Sequence, residues 1–60
     1  MITWASWIAA NRKHAGLNKK ELAERVGVDQ NTVANWERGK WEPGKYNKKM
    51  LGELFGDMPG

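Results

Sequence analysis

The chain has 60 residues, no cysteine and one histidine, and its ten basic and seven acidic side chains leave a formal net charge of +3. A domain this small buries only about 60% of the surface its unfolded chain exposes, which leaves little room for a deep catalytic cleft. Without thiolates or a second imidazole, the usual zinc ligand sets are not available. No apolar run approaches the roughly 20 residues of a membrane span. The opening MITWASWIAA lacks the basic and long apolar regions of a signal peptide. The expectation is a soluble, cytoplasmic domain with no cofactor and no metal, in which mild basicity is compatible with nucleic acid.

Apolar residues recur at helical spacing along the whole chain, and no run alternates as a strand would. The first predicted helix covers about Thr3 to Ala15, with Thr3 as its N-cap. At 100° per residue, Trp4, Ala5, Ile8, Arg12 and Ala15 share its inward side, and Trp7 lies at the edge of that arc. Trp4 and Trp36 are assigned to the core. His14 precedes the helix stop at Gly16 and is assigned no chemistry. The string Asn18-Lys19-Lys20-Glu21 has the form of a capping box and opens a second helix over Lys19 to Val26, with Leu22, Ala23 and Val26 inward.

Gly27 takes the positive φ of a sharp exit, and Asp29 caps a third helix that ends near Arg38. The segment KWEPG is a connecting loop, because Pro43 disfavours helix in the residue before it. A fourth helix spans about Lys45 to Phe55, turns Leu51, Leu54 and Phe55 inward, and closes at Gly56. The fold expected is all-α: a compact bundle of four short helices, or five, forming one domain over residues 1–56. Residues 57–60 are expected to be a tail or the start of a linker.

The spacing of Leu22, Ala23, Val26, Gly27, Val28, Val33 and Trp36 is that of a helix-turn-helix. With Val33 at the centre of the buried arc, Asn31, Ala34, Asn35 and Arg38 fall on the opposite side, and Gln30 and Thr32 flank them. A solvated face is usually written with Glu and Lys, which are better helix formers than Asn or Thr. Carboxamides instead match the N6/N7 edge of adenine, and Ala34 and the Thr32 methyl match the methyl of thymine. A Glu-rich face would be repelled by phosphate.

The string GLNKKELAERVGVDQNTVANWERGK, followed by Pro43 and the terminal LFG, resembles the lambdoid Cro/repressor-like (Xre-like) helix-turn-helix domains over roughly residues 4 to 56. That resemblance implies base contacts by Gln30, Asn31 and Asn35, with Thr32 and Ala34 as neighbours. It implies phosphate contacts by Lys19, Arg38 and Lys40. Asn18, at the same helix start as Lys19, suits a phosphate physically, and Lys45 is placed beside the groove as a further contact. Arg12 and Glu37 match a structural ion pair of the family, which ties the first helix to the third.

The chain departs from the family pattern in carrying Lys19 for a usual Gln, Asn11 for a common core Leu, and Lys45 and Lys48 for apolar residues. The family's frequent fifth helix is missing. The function expected is that of a sequence-specific transcriptional regulator, a phage or prophage repressor or Cro-like protein. Its partner would be a palindromic double-stranded DNA operator, bound as a homodimer, with no membrane and no small-molecule substrate. The alternative is a protein-interaction module of antitoxin or adaptor type, anchored by Trp7 and Trp41. An enzyme is the weakest reading, because no catalytic constellation, phosphate-cradling loop or metal spacing is present.

Overall fold

Local chemistry sets each helix start in the computed structural model, which describes residues 2–58. Helix α1 (Trp4–His14) begins at Thr3, whose Oγ1 accepts the Ser6 N–H at 3.1 Å, while Ser6 Oγ accepts the Thr3 N–H at 3.3 Å. Helix α2 (Lys19–Val26) opens with the expected box: Asn18 Oδ1 accepts the Glu21 N–H and Glu21 Oε1 accepts the Asn18 N–H, both at 2.8 Å. Helix α3 (Gln30–Glu37) is capped by Asp29, whose carboxylate accepts the Thr32 N–H at 2.8 Å. Each cap satisfies donors that the first turn of a helix leaves without partners. Helix α4 (Lys45–Phe55) differs, since its N-cap is Gly44 and no side chain caps it. Among the described residues there are four helices and no strand.

The core is built from one to three side chains of every helix. Ile8, Leu22, Val33 and Leu51 are fully buried, and Val26 and Trp36 nearly so. Helix α3 packs chiefly on α2 and then on α1, and α4 closes the assembly over α2. Ala23 is 2% exposed; a small residue at this point is what allows two helix axes to approach closely. The N–H groups of Gly27 and Val28 both return to the Ala23 carbonyl, at 2.8 and 2.9 Å, and Gly27 sits at φ +88°. That left-handed conformation costs an L-residue with a Cβ roughly 1–2 kcal/mol. It reverses the chain within three residues, so that Asp29 can start α3.

Three expectations for α1 are corrected. Trp7, placed at the edge of the inward arc, is a core residue with 7% exposure, whereas Trp4 is half-buried. Trp7 is enclosed because the end of α4 covers it: it meets Phe55 edge to face at 6.0 Å and Trp4 at 5.4 Å. The outer side of Trp4 instead carries the Lys48 ammonium, 5.2 Å from its ring centroid. This also accounts for a lysine where an apolar residue was expected in α4, since its stem and charge cover an indole and its Nζ pairs with Glu42 at 2.9 Å. Ala15, expected inward, is exposed, because α1 ends at His14 and the chain turns through Gly16 toward Leu17. Asn11, half-buried at a position expected to be apolar, donates its Nδ2 to the Trp7 carbonyl at 2.9 Å and so carries no unpaired polar atom inward. Beyond α4, Met58 packs against the core, and residues 59–60 of the expected tail lie outside the described residues.

A Cβ built on Gly27 would meet nothing within 4 Å, so the cost of substituting this turn is purely conformational. Gly27→Ala is expected to lower stability by about 1 kcal/mol, or roughly 4–8 °C in Tm for a domain of this size. Gly27→Asn is expected to lose less, because Asn tolerates the left-handed region. Thermal unfolding followed by circular dichroism checks the order Gly, Asn, Ala.

Candidate nucleic-acid interface

With Val33 at 0% and Trp36 at 2% exposure, the rotation of α3 about its own axis is set. Asn31, Asn35 and Arg38 then lie about 140–200° away from Val33, on the outward side. Gln30, Asn31 and Arg38 are exposed, and Thr32, Ala34 and Asn35 are half-buried at the flanks. Among the described residues, no hydrogen bond engages the side-chain amides of Gln30 or Asn31, so each presents a free donor and a free acceptor. Thr32 is different: its hydroxyl donates to Asp29 Oδ1 at 3.1 Å, which leaves chiefly its methyl to offer. Asn35 is different again. Its Oδ1 accepts a hydrogen bond from Arg38 Nη2 at 2.5 Å, a pairing that sequence reading did not foresee. Only the spacing of three residues on one helix face hinted at it.

The basic residues expected to accompany this face fall in three places. Lys19 is half-buried in the first turn of α2. Its neighbour Asn18 has committed Oδ1 to the cap, so only Nδ2 is left to donate outward. Lys40 follows α3 directly and is tied to it: its N–H bonds the Asn35 carbonyl at 3.0 Å, while the Gly39 N–H bonds that of Trp36 at 3.1 Å. This is a Schellman closure, in which Gly39 at φ +74° supplies the left-handed residue. The Lys40 ammonium stands 5.3 Å from the Trp41 ring centroid. Trp41 is therefore a platform for this cation, a contact that the sequence pattern does not signal. Lys45 stands apart, exposed at the first position of α4, with no hydrogen bond to α2 or α3 among the described residues.

Behind the outward face, Arg12 holds Glu37. Arg12 Nε meets Glu37 Oε2 at 2.7 Å, and Nη2 meets Oε1 at 3.0 Å, a two-point contact between the planar fork and the carboxylate. Nη1 donates to the Leu17 carbonyl at 3.1 Å, so the same guanidinium also fastens the α1–α2 connection. That third acceptor has no side-chain signature. The two side chains are only 12% and 8% exposed. The hydrogen bond from Glu37, aided by its charge, raises the Arg12 pKa above its ordinary value against the opposing effect of burial. Arg12 therefore keeps its charge throughout the physiological range, and its share of stability is lost only as strongly alkaline pH passes that raised value.

Of the two tryptophans considered as partner anchors, Trp7 is buried and is withdrawn. Trp41 is 49% exposed and borders a groove of about 560 Å³ between the start of α1 and the α3–α4 loop, with Ile2, Trp4 and Met58 among its walls.

Three comparisons bear on this arrangement. A helix-turn-helix family model matches residues 8–53. An uncharacterized HTH-type transcriptional regulator of Methanothermobacter thermautotrophicus is 47% identical over 36 residues, which make up 60% of this chain. The matched stretch spans about half of that relative, 52% of its length. Among solved structures, the P22 c2 repressor protein, crystallised in complex with the synthetic operator 9T in the presence of Tl+, superposes with a TM-score of 0.87 at 26% identity. The match covers 97% of this chain and 88% of that one.

Removing one member of the enclosed ion pair strands the other. Glu37→Ala is expected to cost about 3 kcal/mol in chemical denaturation, a large part of the total stability of a 60-residue domain. Replacing both partners by methionine is expected to restore most of that loss, because no unpaired charge then remains. A Glu37→Ala loss below about 0.5 kcal/mol would show the pair to be a solvated contact instead.

Proposed function

The chain belongs to the helix-turn-helix family, and from that premise we propose that it is a sequence-specific regulator of transcription that binds double-stranded DNA, of the repressor or Cro-like kind. One observation carries the reading: an eight-residue helix is pinned by Val33 and Trp36 so that unengaged amides project from its other side. In the proposed complex α3 enters the major groove and α2 crosses the backbone. Gln30 and Asn31 read base edges with paired donor and acceptor, Asn35 contributes from the same face, and Ala34 and the Thr32 methyl offer apolar contact to thymine.

Lys19 and Asn18 Nδ2 meet a phosphate at the start of α2, where backbone N–H groups and the positive helix end favour an anion. Arg38 and Lys40 do so beyond α3. Lys45 does so at the start of α4, whose first turn has neither a side-chain cap nor an acidic residue to compete. Two copies would read half-sites about 34 Å apart on a palindromic operator. A bacterial or phage setting and a place in the cytoplasm at the nucleoid go with this reading. The likeness to a repressor solved with its operator supports it.

A second reading has one observation in its favour, the half-exposed Trp41 beside its groove, which would suit a protein partner. Titration with mixed-sequence DNA at two salt concentrations separates the two. A steep loss of affinity with salt supports nucleic acid, and indifference supports the protein partner.

Within the DNA reading, Asn35→Ala is expected to cost about 1–3 kcal/mol at the preferred site and to leave binding to random sequence nearly unchanged. Lys40→Ala is expected to weaken all sequences alike and to reduce the salt slope by about one. Fluorescence anisotropy with both DNAs checks the contrast, and equal losses for Asn35→Ala on the two would count against a base contact.

A further inference from the structure

The pairing of Asn35 with Arg38 changes what Asn35 can recognise. A free carboxamide offers one edge with an acceptor and a donor side by side, which is the complement of adenine's N6 donor and N7 acceptor. Here one of the oxygen's two lone pairs is already engaged: Asn35 Oδ1 takes a hydrogen bond from Arg38 Nη2 at 2.5 Å. A cationic donor at that distance draws on the oxygen more strongly than a neutral one would. What remains for a base is the Asn35 Nδ2 group and the unused N–H groups of the guanidinium against a single lone pair of Oδ1, so donors outnumber acceptors. The amides of Gln30 and Asn31 have no such partner among the described residues, so Asn35 stands apart from its neighbours on the face.

We infer that Arg38 is a positioning residue for base readout, which holds the Asn35 carboxamide with its donors outward so that the pair selects guanine, with acceptors at O6 and N7, over adenine. This rests on the DNA-binding reading and adds a specificity to it. Arg38 is exposed and occupies the C-cap of α3, so one edge of its planar fork serves Asn35 while the other is free to meet a phosphate. The backbone reinforces the geometry. The Arg38 N–H bonds the Ala34 carbonyl at 3.0 Å and the Lys40 N–H bonds that of Asn35, which keeps the two side chains one turn apart on the same side.

The test is a random-library selection with the 60-residue chain and three variants, Asn35→Ala, Arg38→Ala and Arg38→Lys, each followed by a salt titration. The wild type is expected to enrich guanine at one base pair per half-site, the pair whose preference Asn35→Ala erases. Arg38→Ala is expected to turn that same pair toward adenine, shifting the guanine-to-adenine ratio about ten-fold or more, the scale of one good bidentate contact, with the other positions unmoved. Arg38→Lys is expected to keep the salt slope and lose the guanine preference, because a point charge serves the phosphate or the amide but not both. An Arg38→Ala profile that superposes on the wild type, with affinity merely lowered everywhere, would reduce Arg38 to a phosphate contact and overturn the inference while DNA binding stands. Adenine already preferred by the wild type at that pair would overturn it as well. If the wild type binds DNA but enriches no sequence, the sequence-specific reading itself fails, and if it binds none, so does the DNA-binding reading.

Discussion

A helix of eight residues has two turns with which to define its orientation, and α3 uses both. Val33 is fully enclosed and Trp36, one turn on, is 2% exposed, so any rotation about the helix axis would bring an indole into water or an amide into the core. Either change costs on the order of 2 kcal/mol or more. That restoring energy is large beside thermal energy, and it makes the outward side of α3 a rigid surface rather than one of several accessible faces. Ala23 and Gly27 matter through the same constraint, because they let α2 lie close enough for the two enclosed residues of α3 to find their pocket.

The electrostatic arrangement divides along the same line. Charges on the inner side of α3 are matched one to one: Glu37 meets the fork of Arg12 at two points, and the third nitrogen of Arg12 goes to the Leu17 carbonyl. Such a pair adds little net stability over an apolar replacement but penalises any arrangement that separates it, and so it favours one packing of α1 against α3 over its competitors. Charges on the outer side are different. Lys40 rests on an indole and Arg38 on an amide, and neither has an acid partner among the described residues. They are held in place without being neutralised, a condition suited to meeting a polyanion.

Much of this was legible in the sequence, because local rules decide it. Asn18 with Glu21, Asp29 ahead of the third helix, and Gly27 at the turn are signals whose meaning depends on neighbours within three or four residues. The Arg12–Glu37 pair spans 25 positions and was accessible only through resemblance to a family. The ranking of the two indoles of α1 was not accessible. Trp7 is inside because Phe55, far along the chain, covers it, and a helical wheel drawn for α1 alone contains no information about that cover. The Asn35–Arg38 bond was hidden for another reason: several partners lie within reach of an arginine on a helix face, and only three-dimensional placement chooses among them.

Among the described residues, the beginning of α4 is the one helix start without a side-chain cap. Gly44 precedes it, no acid occupies its first turn, and its first residue is a lysine whose charge opposes the positive end of the helix. In isolation that turn is therefore the first candidate for fraying in this helix. In the proposed complex with DNA, the phosphate assigned to Lys45 would meet the unpartnered N–H groups of that turn, so that this end of the helix is ordered by its ligand.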